Sequence, residues 1–257
     1  MPPKYLRKKH TDDKRKAKAE YKKKLREADA AHGIRLDTYY LTTGAERPIN
    51  PPKRPLLEEI GNSVTHGIGA IFAIVALVLM LLAADTAAEI ASAIIYSSGM
   101  LVMFLSSCLY HAFRHGSIVK RLFRRFDYSS IYLLIGATFA PVLICFFGDT
   151  FGWIFFVIQW SVIALGITLV GVYGPTKLRY IHIPLYVILG WSALMLLPRM
   201  VGTHFAMGMY ILAGGVIYSV GIIPYALKSR VSHFIWHFFV LAGAVVQWVG
   251  IYIYLYA

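Results

Sequence analysis

From residue 62 onward the chain is a succession of seven apolar runs, at about 62–84, 91–113, 128–147, 152–173, 181–197, 205–226 and 233–256. Each is close to the ~20 residues that an α-helix needs to cross a ~30 Å hydrocarbon core at 1.5 Å per residue. Hydrocarbon offers no partner to a peptide N–H or C=O, so each run has to close its backbone hydrogen bonds internally. The expected fold class is therefore all-α, an integral membrane bundle of seven transmembrane helices. A soluble chain would spread charge along every amphipathic helix. Here the 26 Lys and Arg sit almost entirely outside the apolar runs.

Residues 1–57 hold 16 of those basic residues and 7 acidic ones, a net charge of +9. They read as a basic, polar, cytoplasmic arm, flexible or partly helical, ahead of a membrane domain at 58–257. The stretch KRKAKAEYKKKLREADAA favours a solvated helix or coil, and Pro48, Pro51, Pro52 and Pro55 keep the rest of the arm irregular. The arm has no apolar run of the secretory kind, so it is expected to stay attached. Its charge suits anionic lipid headgroups, at about 1 kcal/mol per basic residue near the surface. Few aromatics and no folded motif accompany it, so no nucleic-acid partner is expected.

Cytoplasmic loops accumulate Lys and Arg. Arg114, Lys120, Arg121, Arg124, Arg125, Lys177, Arg179, Lys228 and Arg230 lie in the connections between runs two and three, four and five, and six and seven. The alternate connections carry Asp85, Glu89 and Asp149, with Arg199 as their one basic residue. The expected topology is N-terminus inside and C-terminus outside, multi-pass in the plasma (inner) membrane. This reverses the G-protein-coupled receptor arrangement, and with no Lys in the seven runs a retinal Schiff base has no attachment point. Cys108 and Cys145 fall in apolar runs and read as free packing thiols. Pro141, Pro184 and Pro224 are expected to kink their helices.

Ionisable groups in hydrocarbon are costly and call for a partner or a function. Sorted by depth, they converge. Run one begins at the inner face with Glu59, Asn62 and His66; run two ends there with Ser107 and His111; Asp127 opens run three, and His233 and His237 open run seven. His233 and His237 are four residues apart and so project from one helical face. Three neutral imidazoles, His111, His233 and His237, leave one exchangeable position of a four-coordinate zinc, the arrangement of catalytic sites. Asp127 then stands beside the metal and Ser107 near it, with Glu59, Asn62 and His66 as a supporting network. His115, His182 and His204, at loops or helix ends, read as interfacial hydrogen-bonding residues.

At these residues the chain resembles the haemolysin III family, the bacterial branch of the superfamily that includes the progestin and adiponectin receptors. The matching elements are EEIGNSVTHGIGA, SSCLYHAF, FDYSSIYLLIGATFAPV and SHFIWHFFVLAGA, in that order. The resemblance runs from about Glu58 to the C-terminus and leaves the arm outside. It implies a seven-helix bundle with a zinc near the inner leaflet, held by His111, His233 and His237, with Asp127 binding water and Ser107 beside it. For the receptor branch it also implies ceramidase-like amide hydrolysis and lipid signalling.

The leading expectation is a Zn2+-dependent hydrolase of a lipid amide or ester reached from the inner leaflet, with Asp127 and Ser107 catalytic: Asp127 handles the proton and Ser107 or the metal stabilises the developing oxyanion. A receptor or regulator of membrane lipid state with structural zinc is the alternative, and a cytolytic (haemolytic) membrane protein ranks last because no continuous polar stripe lines a pore. Membrane lipids are the expected partners under each reading. The single layer of ligands beside an Asp favours zinc over stacked haems.

Overall fold

The computed structural model describes residues 54–202, 204–227 and 231–257, together with Asp13, Lys16, Ala19, Glu20, Lys23 and Glu27. The chain divides into two units, residues 1–47 and 48–257. In the first, the six described residues are helical and exposed, and Lys23 pairs with Glu27 one turn on at 3.9 Å. The remaining expectations for the arm, and those for Lys228 and Arg230, lie outside the described residues.

The second unit is helical throughout its regular structure, with no strand among the described residues. Its elements are α1 (Leu56–Ala83), α2 (Ala87–Ala112), α3 (Ile118–Pro141), α4 (Thr150–Tyr173), α5 (Arg179–Trp191), α6 (Phe205–Leu227) and α7 (Ser232–Leu255). A π-helical turn, Val142–Phe147, continues α3, and a 3-10 stretch, Ser192–Met195, with a one-turn helix, Leu197–Met200, continues α5. Among the described residues, seven helical segments are long and apolar enough to cross a membrane, as expected. The protein is a seven-span membrane bundle.

Caps set the boundaries more than hydropathy does. Thr86 and Glu89 form a reciprocal capping box at the start of α2, and Asp149 Oδ1 accepts from Gly152 N at 2.9 Å to start α4. The largest departure from expectation is α3, which begins at Ile118 rather than near 128. Gly116 takes a positive φ of 85°, which glycine adopts without a Cβ penalty, and Ser117 Oγ then accepts from Lys120 N at 3.1 Å. The basic connection is thus half helix, and Lys120 is drawn into the bundle. Pro141 has no N–H to offer the carbonyl one turn back, and beyond it the helix widens into the π turn, closed by Gly148 N donating to Leu143 O at 3.1 Å.

Between apolar helices in lipid there is little hydrophobic drive, so small residues that allow close approach carry much of the association. A Cβ on Gly69 would overlap the Phe104 ring, one on Gly166 the Tyr132 ring, and one on Gly99 the Ala137 Cβ, with Leu133 O 3.1 Å away. The main core packs Met80 of α1, Tyr96, Met100 and Phe104 of α2, and Ala244 and Trp248 of α7. Of α3's apolar stretch 61% is buried, against 22% for α4 and for α5, so α3 is the central post and those two face lipid. At one end of the bundle α7 is tied to α2 by Tyr256, whose hydroxyl lies 2.6 Å from Ser92 Oγ and donates to Glu89 O at 3.0 Å.

Gly99→Ala is expected to lower the stability of the purified protein in detergent by about 1–3 kcal/mol, because a backbone must move. Gly171→Ala, where an added Cβ meets nothing within 4 Å, is expected to be neutral or mildly stabilising. Thermal unfolding of both variants checks this; equal melting temperatures would show that the α2–α3 contact yields without cost.

Candidate metal centre

Four helices bring polar side chains to the other end of the bundle. His111 ends α2 with Ser107 one turn before it; His233 and His237 sit one turn apart at the start of α7; Asp127 comes from α3, and Glu59, Asn62 and His66 from successive turns of α1. His66, Ser107, His111 and His237 are buried, and Asn62 is fully so. Because α3 begins early, Asp127 lies ten residues into its helix instead of opening it, yet still faces α2, where its carboxylate is hydrogen-bonded by the Ser107 side chain.

The three histidines expected as ligands converge through the same ring atom. His233 Nε2 is 3.3 Å from His111 Nε2 and 3.3 Å from His237 Nε2. All three ligand atoms lie within 4.8 Å of one another. At a metal–nitrogen distance of 2.0–2.1 Å, tetrahedral ligands stand about 3.3–3.4 Å apart. Two of the three separations match that value, and the triad could hold a metal ion.

Hydrogen bonding on the far side of the rings makes the same case. His111 Nδ1 is 2.6 Å from Glu59 Oε2. A carboxylate oxygen accepts, so Nδ1 carries the proton and Nε2 presents a lone pair. His237 Nδ1 lies 3.2 Å from the Asn62 carbonyl, which also accepts, so this Nε2 is a lone pair too. Two lone pairs then face His233 Nε2, an arrangement that could hold a metal ion. Carboxylate and carbonyl partners on the non-ligating nitrogens are typical of metal-binding histidines. Among the described residues these three histidines are the cluster that could hold a metal ion.

Glu59, Asn62 and His66 each contact the histidine cluster, in different ways. Glu59 bonds His111 directly. Asn62 meets His237 through its backbone, and its side-chain Nδ2 is 3.3 Å from His111 Nδ1. His66 makes no hydrogen bond through either ring nitrogen; instead it stacks on His237, centroids 3.8 Å apart, and meets Phe104 edge-on.

Two further groups stand at the site that spacing and depth do not point to. Lys120 is buried and donates to Glu59 Oε1 at 3.0 Å, and Tyr225 brings its ring within 5.7 Å of the His233 ring with its hydroxyl 3.4 Å from that of Tyr128. In the sequence Lys120 reads as loop charge; the one signal for it is Gly116-Ser117 as a turn and N-cap three residues earlier.

The remaining candidates stay outside. His182 is hydrogen-bonding, as expected, but its partner is within the protein: it is buried in the first turn of α5, with Nδ1 2.9 Å from the Tyr132 hydroxyl. His204 packs against Phe146. Cys108 lies 3.4 Å from Ser63 Oγ, and both cysteines are free thiols.

Residues 55–248, which hold every residue of this cluster, match the family described as "Haemolysin-III related". The chain is similar to "Hemolysin-3" of Bacillus cereus, 34% identical over 173 residues, covering 65% of this chain and 77% of that protein. It is also similar to "Hemolysin-3 homolog" of Bacillus subtilis (strain 168), 34% identical over 175 residues, covering 66% and 81%.

Purified protein is expected to carry about one divalent metal per chain, retained in His182→Ala and lost in folded His111→Ala and His237→Ala. Elemental analysis checks this. A metal-free wild type, purified without chelator, would return the triad to structural duty.

Proposed function

The chain belongs to the haemolysin-III-related family, and from that premise we propose that it is a zinc-dependent hydrolase of a lipid amide or ester, working at the inner leaflet. The observation that carries the reading is the convergence of three Nε2 atoms, two of them presenting lone pairs, beside an acidic residue. Three protein ligands leave a position for water or substrate, which a closed four-ligand structural site lacks.

The orientation rests on the distribution of charge. The triad occupies the end of the bundle where α2 meets α3, and so the end carrying Arg114, Arg121, Arg124 and Arg125. Basic connections mark the cytoplasmic side, which supports an inside N-terminus and an outside C-terminus. The +9 arm supports attraction to anionic headgroups on that same side.

The chemistry that a zinc ion supplies in such a site is Lewis acidity towards a carbonyl oxygen and towards water. The chain's own residues do the rest. His111, His233 and His237 hold the ion, with Glu59 and the Asn62 carbonyl directing two of the rings. Asp127 accepts the proton of the attacking water as the new C–O bond forms, then returns it to the amine or alcohol that departs when the C–N or ester C–O bond breaks. Ser107, bonded to Asp127, orients that carboxylate. The apolar bundle suits a lipid tail beside the polar layer.

The test is turnover of defined lipid amides and esters in mixed micelles by the zinc-loaded protein. Asp127→Asn is expected to keep its zinc and lose about 100-fold or more in rate, with a smaller loss for Ser107→Ala. Full activity in Asp127→Asn would remove the carboxylate from the mechanism. Zinc bound with no turnover on any such lipid would sink the hydrolase and leave a receptor or regulator with structural zinc.

A further inference from the structure

Lys120 is the most deeply buried cation of the described residues, 1% exposed, although it stands in a run of basic residues. Its ammonium has an acceptor for each of its three N–H groups. These are Glu59 Oε1 at 3.0 Å, the His111 carbonyl at 3.4 Å and the face of the Tyr110 ring, 4.8 Å from its centroid. Two of the three lead to the same residue. The Glu59 carboxylate reaches His111 through its other oxygen, Oε2, at 2.6 Å from Nδ1. The His111 carbonyl belongs to the last turn of α2, where no helical N–H remains to satisfy it.

By charge alone a buried ammonium is the wrong neighbour for a site that takes a dication. Its presence makes sense through what it holds. A glutamate's terminal torsion is broad, so a carboxylate bonded at one oxygen can rotate away from Nδ1. Bonded at both oxygens it cannot, and the His111 ring keeps the angle that points Nε2 at His233 and His237.

Resting on the metal reading above, we infer that Lys120 is a positioning residue of the metal centre, gripping His111 through the Glu59 carboxylate on one side and through its backbone carbonyl on the other. The proposal has a definite sign. Removing a positive charge near a dication tightens binding by Coulomb's law; removing a residue that aims a ligand loosens it. The positioning role predicts the second.

The experiment is zinc titration of the full-length protein in detergent against a chromophoric competitor, for wild type, Lys120→Gln, Lys120→Arg, Glu59→Gln and the Lys120→Gln/Glu59→Gln pair. Lys120→Gln is expected to bind zinc about 10-fold more weakly, the lower end of the range for groups that orient metal ligands. Lys120→Arg, which keeps a cation within reach of Oε1, is expected to recover most of the loss. In the Glu59→Gln background the Lys120 substitution is expected to add little, because the two act as one device.

Cobalt substituted for zinc gives visible bands that report the ligand geometry. A shift in those bands in Lys120→Gln is expected, and general loosening of the bundle would not produce it. If Lys120→Gln does not fold, Lys120→Met, which keeps the apolar stem, takes its place with the same expected loss. Zinc binding that is unchanged or tighter in the neutral variants, with wild type binding normally, overturns the role of Lys120 and leaves the metal centre standing. No zinc in wild type overturns both.

Discussion

A charged or polar group in hydrocarbon must find its partner inside the protein, and the layout of this bundle obeys that requirement. It closes every span as a helix and leaves small residues to bring the spans together, as at Gly69 against Phe104 and Gly166 against Tyr132. It also places two small polar layers at opposite ends, apart from isolated buried pairs such as His182 with Tyr132. One layer is neutral, built from Ser92, Tyr256 and the Glu89 carbonyl. The other is ionisable and contains four imidazoles, two carboxylates and an ammonium.

The ionisable layer is held from its rim inward. Lys120 holds Glu59, Glu59 holds His111, and the Asn62 backbone holds His237. The outer groups are committed by donors and acceptors of fixed kind, a carboxylate and a carbonyl that can only accept. That choice leaves the Nε2 atoms of His111 and His237 as lone pairs facing His233 Nε2, an arrangement that could hold a metal ion whatever its catalytic role.

The candidate ligands are legible in the sequence because helical periodicity turns spacing into direction. His233 and His237 at four residues must share a face, and the alternation of spans puts them at the level of His111, Asp127 and Glu59. Contacts set by rotation of one helix against another, and by where a helix begins, are not legible in the same way. Lys120 is hidden because hydropathy places the start of α3 ten residues late, while Ser117 and Gly116 start it earlier through local bonding. The partner of His182 is hidden for a related reason: its position near a helix end suggests a hydrogen-bonding role, but Tyr132, fifty residues away in sequence, comes from another helix. The π turn after Pro141 is legible only as a kink.

The two polar layers share one more property. On α2, Ser92 and His111 are nineteen residues apart; on α7, His237 and Tyr256 are nineteen residues apart as well. The two helices run in opposite directions and meet at both levels, through Tyr256 and Ser92 at one end and through the histidine cluster at the other. They behave as two rails of equal length joined by a rung at each end. Inserting or deleting one residue between the anchors of either rail would advance its far end by about 1.5 Å and turn it by about 100°, so one rung could form only if the other were given up. Side chains along these rails can drift as lipid and packing allow, but the count of residues between the rungs is held, and a change in one rail has to be matched in the other.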